Sequence, residues 1–354
     1  DVTCYVENIP SNELDTWAKV QGDRFQNMVI RGFHTELEAV YEEYNIGLTN
    51  DWRKMYAALF AKLFPTHPYG TQTTIGLGEH LKNPSITNIK NYFNKYYVPN
   101  NVAICLSGDL NPDETVAIIE KYFGNWKPSA HIDVPQFPVQ PALTAPVDTT
   151  VIGKEAPTFF MGWRADAGKS LQMDTLEIVA QLLSNGQAGL FDLNLNQKLK
   201  VQEVGAGIAD MDEYSVFYIY GQPKSGQTLQ EARALALSEI EKLKKGEFSD
   251  DLLPSIINNY KRYYYTQLDN NQFRAKQYVD AFINHKDWKQ EVDKLNRISK
   301  LTKPELVRFA NHFFGNNFAC VYKEQGNDTS IKKVEKPSIT PIPTNNDKQS
   351  DFLK

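Results

Sequence analysis

Phe93-Asn94-Lys95-Tyr96-Tyr97-Val98-Pro99-Asn100-Asn101-Val102-Ala103 decides how this chain is divided, because it returns 216 positions later as Phe309-Ala310-Asn311-His312-Phe313-Phe314-Gly315-Asn316-Asn317-Phe318-Ala319. In each copy, apolar residues at helical spacing run through an aromatic pair and an Asn-Asn turn into an apolar strand pattern, Ala103 to Leu106 and Ala319 to Tyr322. Similarity at a fixed offset marks a duplicated unit. A chain of 354 residues is long enough for two domains, each with its own core.

The second copy predicts what belongs before the first. Thr158 to Trp163 reads as an apolar strand leading into a Leu-rich helix of about 175–200, interrupted at Ser184, Asn185 and Gly186. The same offset puts the matching strand and helix of the first copy upstream of Asp1, so the chain is expected to be a fragment that starts inside its first domain. Val2 to Val6 then reads as a strand already inside a sheet, equivalent to Val216 to Gly221. Grouped strands followed by runs of helices predict an α+β fold: two homologous domains, each a mostly antiparallel sheet with helices packed on one face. The expected boundaries are 1–126 for the later part of the first domain, a proline-rich connector over 127–146, the second domain over 147–326 and a polar tail over 327–354 that ends Asp351-Phe352-Leu353-Lys354.

Bulk composition removes several function classes. The net charge is −5, and the basic pairs Lys244/Lys245 and Lys332/Lys333 are diluted by acids, so no nucleic-acid partner is expected. No apolar run is long enough to span a bilayer. Cys4, Cys105 and Cys320 fall in apolar strand patterns without a Cys-x-x-Cys pair, which predicts buried thiols and neither a disulfide framework nor a cysteine zinc site.

Chemistry-bearing residues concentrate in the first copy. Ser11 or Asn12 starts a helix of about 13–30, a second covers about 34–45, and a third is capped by Asn50 or Asp51 and stopped by Pro65. Glu36 and Glu43 are seven apart in the second of these, which brings their side chains within about 20° of one line on a helix. Val40 lies near that line, whereas Glu38 and Glu42 project away from it. Two carboxylates on one stripe form either a solvated face or a metal ligand with a supporting acid behind it. His34 and Glu38 also share a face, roughly opposite Glu43, and read as an exposed polar pair. His67, before Pro68 and a tight turn, reads as a loop-structuring residue. Tyr260, Tyr263, Tyr264 and Tyr265 read as core packing in a long helix of about 251–285.

The stretch Glu36 to Asn45, Trp52, His67-Pro68-Tyr69-Gly70, the Phe93-x-x-Tyr-Tyr-x-x-Asn-Asn run, Ser107-Gly108-Asp109 and Phe123-Gly124-Asn125-Trp126 together resemble the M16 family of zinc metallopeptidases, which includes pitrilysin, insulin-degrading enzyme and the mitochondrial processing peptidases. The resemblance runs from Asp1 to about Lys323. It implies an inverted motif, His-x-x-Glu-His, with two zinc-binding histidines and a general base, and a third ligand Glu on a later helix with a supporting Glu seven positions before it. Glu43 matches that ligand and Glu36 the supporting acid. Counting back from Glu43 places the inverted motif before Asp1, inside the helix that the repeat says is missing.

The chain departs from the family where it matters most. It contains no His-x-x-Glu-His, and His34, His67, His80, His131, His285 and His312 include no pair at ligand spacing. Zinc is therefore expected in the intact enzyme and not on this chain alone, which is expected to be inactive. The resemblance implies a zinc-dependent endopeptidase acting on peptides or unfolded segments laid as an added strand on a sheet edge, with a second M16-like half on the same chain or a partner subunit. The alternative is a non-catalytic M16-like structural or peptide-presenting subunit. Setting Leu37 against Leu252 puts Asp251 opposite Glu36 and Asn258 opposite Glu43, so the second copy is expected to lack a ligand.

Overall fold

Helices build the first copy throughout. In the computed structural model, which describes residues 1–335, they are α1 (Leu14–Gln26), α2 (Phe33–Leu48), α3 (Asp51–Leu63), the short α4 (Pro68–Thr71) and α5 (Gly78–Lys82), α6 (Ile86–Tyr96) and α7 (Pro112–Phe123). Their ends follow local chemistry. The Asn50 side chain accepts the Arg53 N–H at 2.9 Å and starts α3, while Asn111 accepts the N–H groups of Asp113 and Glu114 ahead of Pro112 to start α7.

The second copy supplies the sheet. Its strands are β1 (Val147–Gly153), β2 (Thr158–Ala165), β3 (Glu203–Ala209), β4 (Ser215–Gln222) and β5 (Phe318–Gln325), in the order β1-β5-β2-β4-β3. Only the β1–β5 pair is parallel. Around the strands lie α8 (Gln172–Leu183), α9 (Leu229–Lys245), α10 (Leu252–Gln267), α11 (Asn271–Ile283), α12 (Trp288–Ser299) and α13 (Lys303–Phe313). A capping box, Thr228 with Glu231, opens α9, and Gly246 in the left-handed region closes it at φ 70°.

Both faces of the sheet are covered, from different sources. Phe159, Met161 and Trp163 of β2 point into a core shared with α8, α9 and α13 of the same copy. The alternate residues Phe160, Val216, Ala319 and Val321 meet Met55, Leu59, Phe60 and Leu63 of α3, which comes from the first copy. Burial on both faces is why Thr158 to Trp163 reads as an unbroken apolar run. Each large apolar side chain buried at this junction contributes on the order of 1.5–3 kcal/mol.

Several local features recur between the two copies. Phe93 stacks on Tyr97 with rings 4.4 Å apart, and Phe309 stacks on Phe313 at 5.5 Å. Helices α2 and α10 each have 16 residues, α3 and α11 each 13, and α6 and α13 each 11. Asn50 caps α3 and Asn270 caps α11 in the same way.

Several expectations are corrected. Val2 to Val6 and Ala103 to Leu106 are not strands, because neither finds a neighbouring backbone to pair with among the described residues. Cys4 is consequently exposed and Cys105 half-buried; only Cys320 is buried as expected. The helix expected over 251–285 breaks at 268–270, where Asn270 stops competing as a helix former and caps α11. The helix expected over about 175–200 is interrupted after Leu183, as Ser184, Asn185 and Gly186 led one to expect, with the buried Asp192 carboxylate taking the N–H groups of Asn185 and Gly189, and it resumes only as a π-helical turn over Asp192–Asn196. The strand β1 was not anticipated. The first helix is shorter than expected, closing at Gln26. Residues 327–335 turn back onto the first copy: Asp328 meets Lys54 at 2.6 Å, and the Asn45 side chain makes two hydrogen bonds to the Val334 backbone, at 3.0 and 2.9 Å. The terminal Asp351-Phe352-Leu353-Lys354 lies outside the described residues.

Candidate functional site

Helix α2 begins after Gly32, whose left-handed φ of 59° reverses the chain without a side-chain clash. Its inner face buries Leu37 and Tyr41. Glu36 and Glu43 both stand on the exposed side, with Val40 half-buried between them, so the predicted stripe exists. Among the described residues Glu43 approaches one cation, the Arg53 guanidinium at 3.5 Å, with the two side chains 60% and 54% exposed.

The histidines do not join this stripe. His67 is buried and fully engaged: its Nδ1 accepts the Tyr69 N–H at 3.1 Å, so Nε2 carries the proton and donates to Glu213 at 2.9 Å. The loop-structuring reading of His67 therefore holds, and the residue also ties the first copy to the β3–β4 turn. His34 packs edge-on against Phe33 and is half-buried, as is Glu38, so this pair is less exposed than expected. Among the described residues, no three His, Cys, Asp or Glu are placed to share a metal ion. Zinc takes about four ligands, or three and a water. Glu43 with Glu36 behind it is too small a donor set to hold zinc by itself, and no reaction step can be assigned to this chain.

The second copy offers no ligand at the equivalent place. Helix α10 reads Leu-Leu-Pro-Ser-Ile-Ile-Asn-Asn-Tyr-Lys-Arg-Tyr-Tyr-Tyr-Thr-Gln and contains no Asp, Glu, His or Cys, so it offers no zinc ligand whichever of its residues stands opposite Glu43.

Charge is instead used structurally in the second copy. Tyr260 donates to Glu177 at 3.0 Å, Lys294 meets the same carboxylate at 2.7 Å, and Arg297 meets Asp174 at 2.7 Å, pinning α8 to α10 and α12. The Glu177 carboxylate holds the Lys294 ammonium charged and raises its pKa in spite of burial. Tyr260 packs as expected, whereas Tyr263 and Tyr265 face solvent, a split that aromatic spacing alone does not reveal. A cavity of about 200 Å3 opens between β2, α8 and α13 against Met173, Leu176, Phe309 and Phe313, and includes neither Glu36 nor Glu43.

Comparison with known proteins gives this arrangement a context. Residues 85–260 match the family model described as the peptidase M16 inactive domain. A Helicobacter pylori protein named zinc protease PqqE is 24% identical over 327 residues, covering 89% of this chain and 72% of the relative. The crystal structure of a protease from Helicobacter pylori superposes with a TM-score of 0.82 at 21% identity, over 88% of this chain and 77% of that one. The first half of the periplasmic protease PqqL from Escherichia coli superposes with a TM-score of 0.70 at 12% identity, over 90% of this chain and 71% of that one. These likenesses agree with the α+β class expected from the strand and helix pattern. No helix among the described residues is long and apolar enough to cross a membrane.

Proposed function

We propose, because the chain belongs to the M16 peptidase family, that it provides the carboxylate-bearing helix and the second, non-catalytic domain of a zinc-dependent endopeptidase. In this reading residues 1–126 belong to the first domain, 127–146 connect, and 147–326 form the second. Glu43 is the carboxylate ligand, and Glu36 supports the site from the same stripe. When bound, zinc supplies Lewis acidity and lowers the pKa of a bound water. Histidine ligands and a general base have to come from polypeptide outside these residues, so the chain alone is inactive. A second M16-like half, on the same chain or a partner, closes around a peptide or unfolded segment.

One observation carries the reading. The stripe is built and left open: two carboxylates at the required spacing face outward, and among the described residues the contact on Glu43 is a long pair with Arg53 between exposed side chains, worth no more than about 1 kcal/mol. A solvated acidic face is the competing explanation for that geometry.

Metal content and cleavage of an unstructured peptide by the full-length protein decide between them. Wild type is expected to hold zinc and cleave, Glu43→Gln to lose both, and Glu36→Gln to bind zinc roughly 10–100-fold more weakly. A Glu43→Gln protein with wild-type zinc and wild-type cleavage overturns the assignment. A wild-type protein that folds without zinc and cleaves nothing supports the non-catalytic subunit instead.

A further inference from the structure

The last turns of α2, which carry Glu43, have little apolar burial to hold them. Leu37 and Tyr41 anchor the earlier turns, whereas none of residues 42–48 is buried. A helix end of that kind opens locally at low cost unless other contacts close it. Those contacts come from the chain that leaves β5.

Gly326 donates its N–H to the Gly153 carbonyl at 2.7 Å, and from there residues 327–335 run back across the first copy. Asp328 meets Lys54 of α3 at 2.6 Å, and the Lys54 ammonium also donates to the Ile152 carbonyl at 3.0 Å. These two charged side chains are only 16% and 19% exposed, unlike the open pair of Arg53 and Glu43. Farther on, the Asn45 amide accepts the Val334 N–H and donates to the Val334 carbonyl, as the backbone of a neighbouring strand would. Val334 then sits so close to Gly78 of α5 that a Cβ on this glycine would lie 2.3 Å from the Val334 Cγ2 and 3.0 Å from the Tyr44 ring.

Asn45 follows Glu36 by nine residues and Glu43 by two, about 180° and 200° round the helix. The returning segment therefore grips α2 from the side opposite the carboxylates and leaves their face clear. Its other hold, Lys54, is next in sequence to Arg53, the residue that approaches Glu43.

We infer that residues 327–335 are a strap that positions the zinc ligand, with Asn45 and Asp328 as its two positioning residues. The inference rests on the reading of Glu43 as that ligand. With the strap in place, Glu43 is presented on an ordered helix and binding pays little to fix it; with the strap displaced, the last turns of α2 fray and the metal is held less tightly. Metal affinity in the first copy is thereby tied to the path the chain takes after the second.

Full-length protein loaded with zinc tests this through two readouts, the rate of zinc loss to excess chelator and amide exchange across residues 42–48. Asn45→Ala and Asp328→Ala are each expected to speed both several-fold. Asp328→Glu, which keeps the charge pair, is expected to restore wild-type behaviour. Lys303→Ala, which breaks the 2.7 Å pair with Asp250 in the second copy, is expected to change neither readout. Either readout unchanged in Asn45→Ala and Asp328→Ala, or equal acceleration in Lys303→Ala, overturns the inference. Glu43→Gln tells the two failures apart. If wild type holds no zinc, or Glu43→Gln holds as much, the ligand assignment falls and the strap's role with it. If Glu43→Gln loses zinc while the strap variants keep theirs, only the strap inference falls.

Discussion

Lys323, in the last strand of the second copy, holds its ammonium 3.2 Å from the carboxylate of Asp51 at the start of α3, with the two side chains only 1% and 2% exposed. The carboxylate also accepts the N–H groups of Glu155 at 2.8 Å and Lys154 at 3.3 Å, so its lone pairs are used. Removing one partner strands the other charge in a dry site. Asp51→Ala is expected to cost about 3–5 kcal/mol in urea unfolding, and the double variant Asp51→Leu/Lys323→Met clearly less. Equal losses in the single and double variants would show that packing, not the pair, dominates.

The same carboxylate sets an acid limit. Burial pushes the Asp51 pKa up, but the Glu155 N–H and the Lys323 ammonium outweigh it and hold the group below its ordinary value. Asp328, hydrogen-bonded by Lys54 and Ser330, is lowered to about 2. Groups with depressed folded pKa values contribute stability above their unfolded pKa, near 3.9, and lose it as the pH falls through the folded value. Urea midpoints are therefore expected to fall between about pH 4 and pH 2. The fall should shrink in the double variant Asp51→Leu/Lys323→Met.

Gly153 closes the pocket around that carboxylate. A Cβ there would lie 2.3 Å from the Asp51 Cγ, and the carboxylate is held from three sides, so it cannot swing away. Gly153→Ala is expected to cost about 1–3 kcal/mol by overpacking. The cost should diminish in an Asp51→Ala background, because neighbouring substitutions do not add. A full, additive loss in both backgrounds would place the strain elsewhere.

The three thiols should separate by reactivity. Burial pushes the Cys320 thiol up to about 12, and burial also raises Cys105, whereas Cys4 is exposed. Since the thiolate is the nucleophile, maleimide labelling of the 354-residue chain is expected to modify Cys4 first and Cys105 more slowly. Cys320 should react only on unfolding. Early modification of Cys320, mapped by mass spectrometry, contradicts the buried position of β5.

Much of this was legible in the sequence where one periodicity dominates. The stripe of Glu36 and Glu43, the stop of α3 before Pro65, the strands β2, β4 and β5 and the repeated α6 and α13 follow from spacing, caps and apolar runs. The strand β1 did not, because Asp148, Thr149 and Thr150 on a half-exposed edge beside a proline-rich connector carry no apolar run. Val2 to Val6 and Ala103 to Leu106 have strand patterns, yet pairing is a property of neighbours that a local pattern does not contain. The seat of α3 was hidden for the same reason: Met55 and Leu59 announce a buried face, and nothing local says which sheet buries it. At the candidate site, the spacing of the two acids was readable, while the Arg53 contact and the engagement of His67 by Glu213 depend on chain segments brought together by folding.

The connector between the copies carries bare side chains such as Val134 and Val139, an inviting target for a protease. Yet α3 precedes that connector and is clamped to strands that follow it. A nick between 127 and 146 should therefore yield two bands on a denaturing gel and one peak on a native column. Covalent continuity there is dispensable once folding has finished.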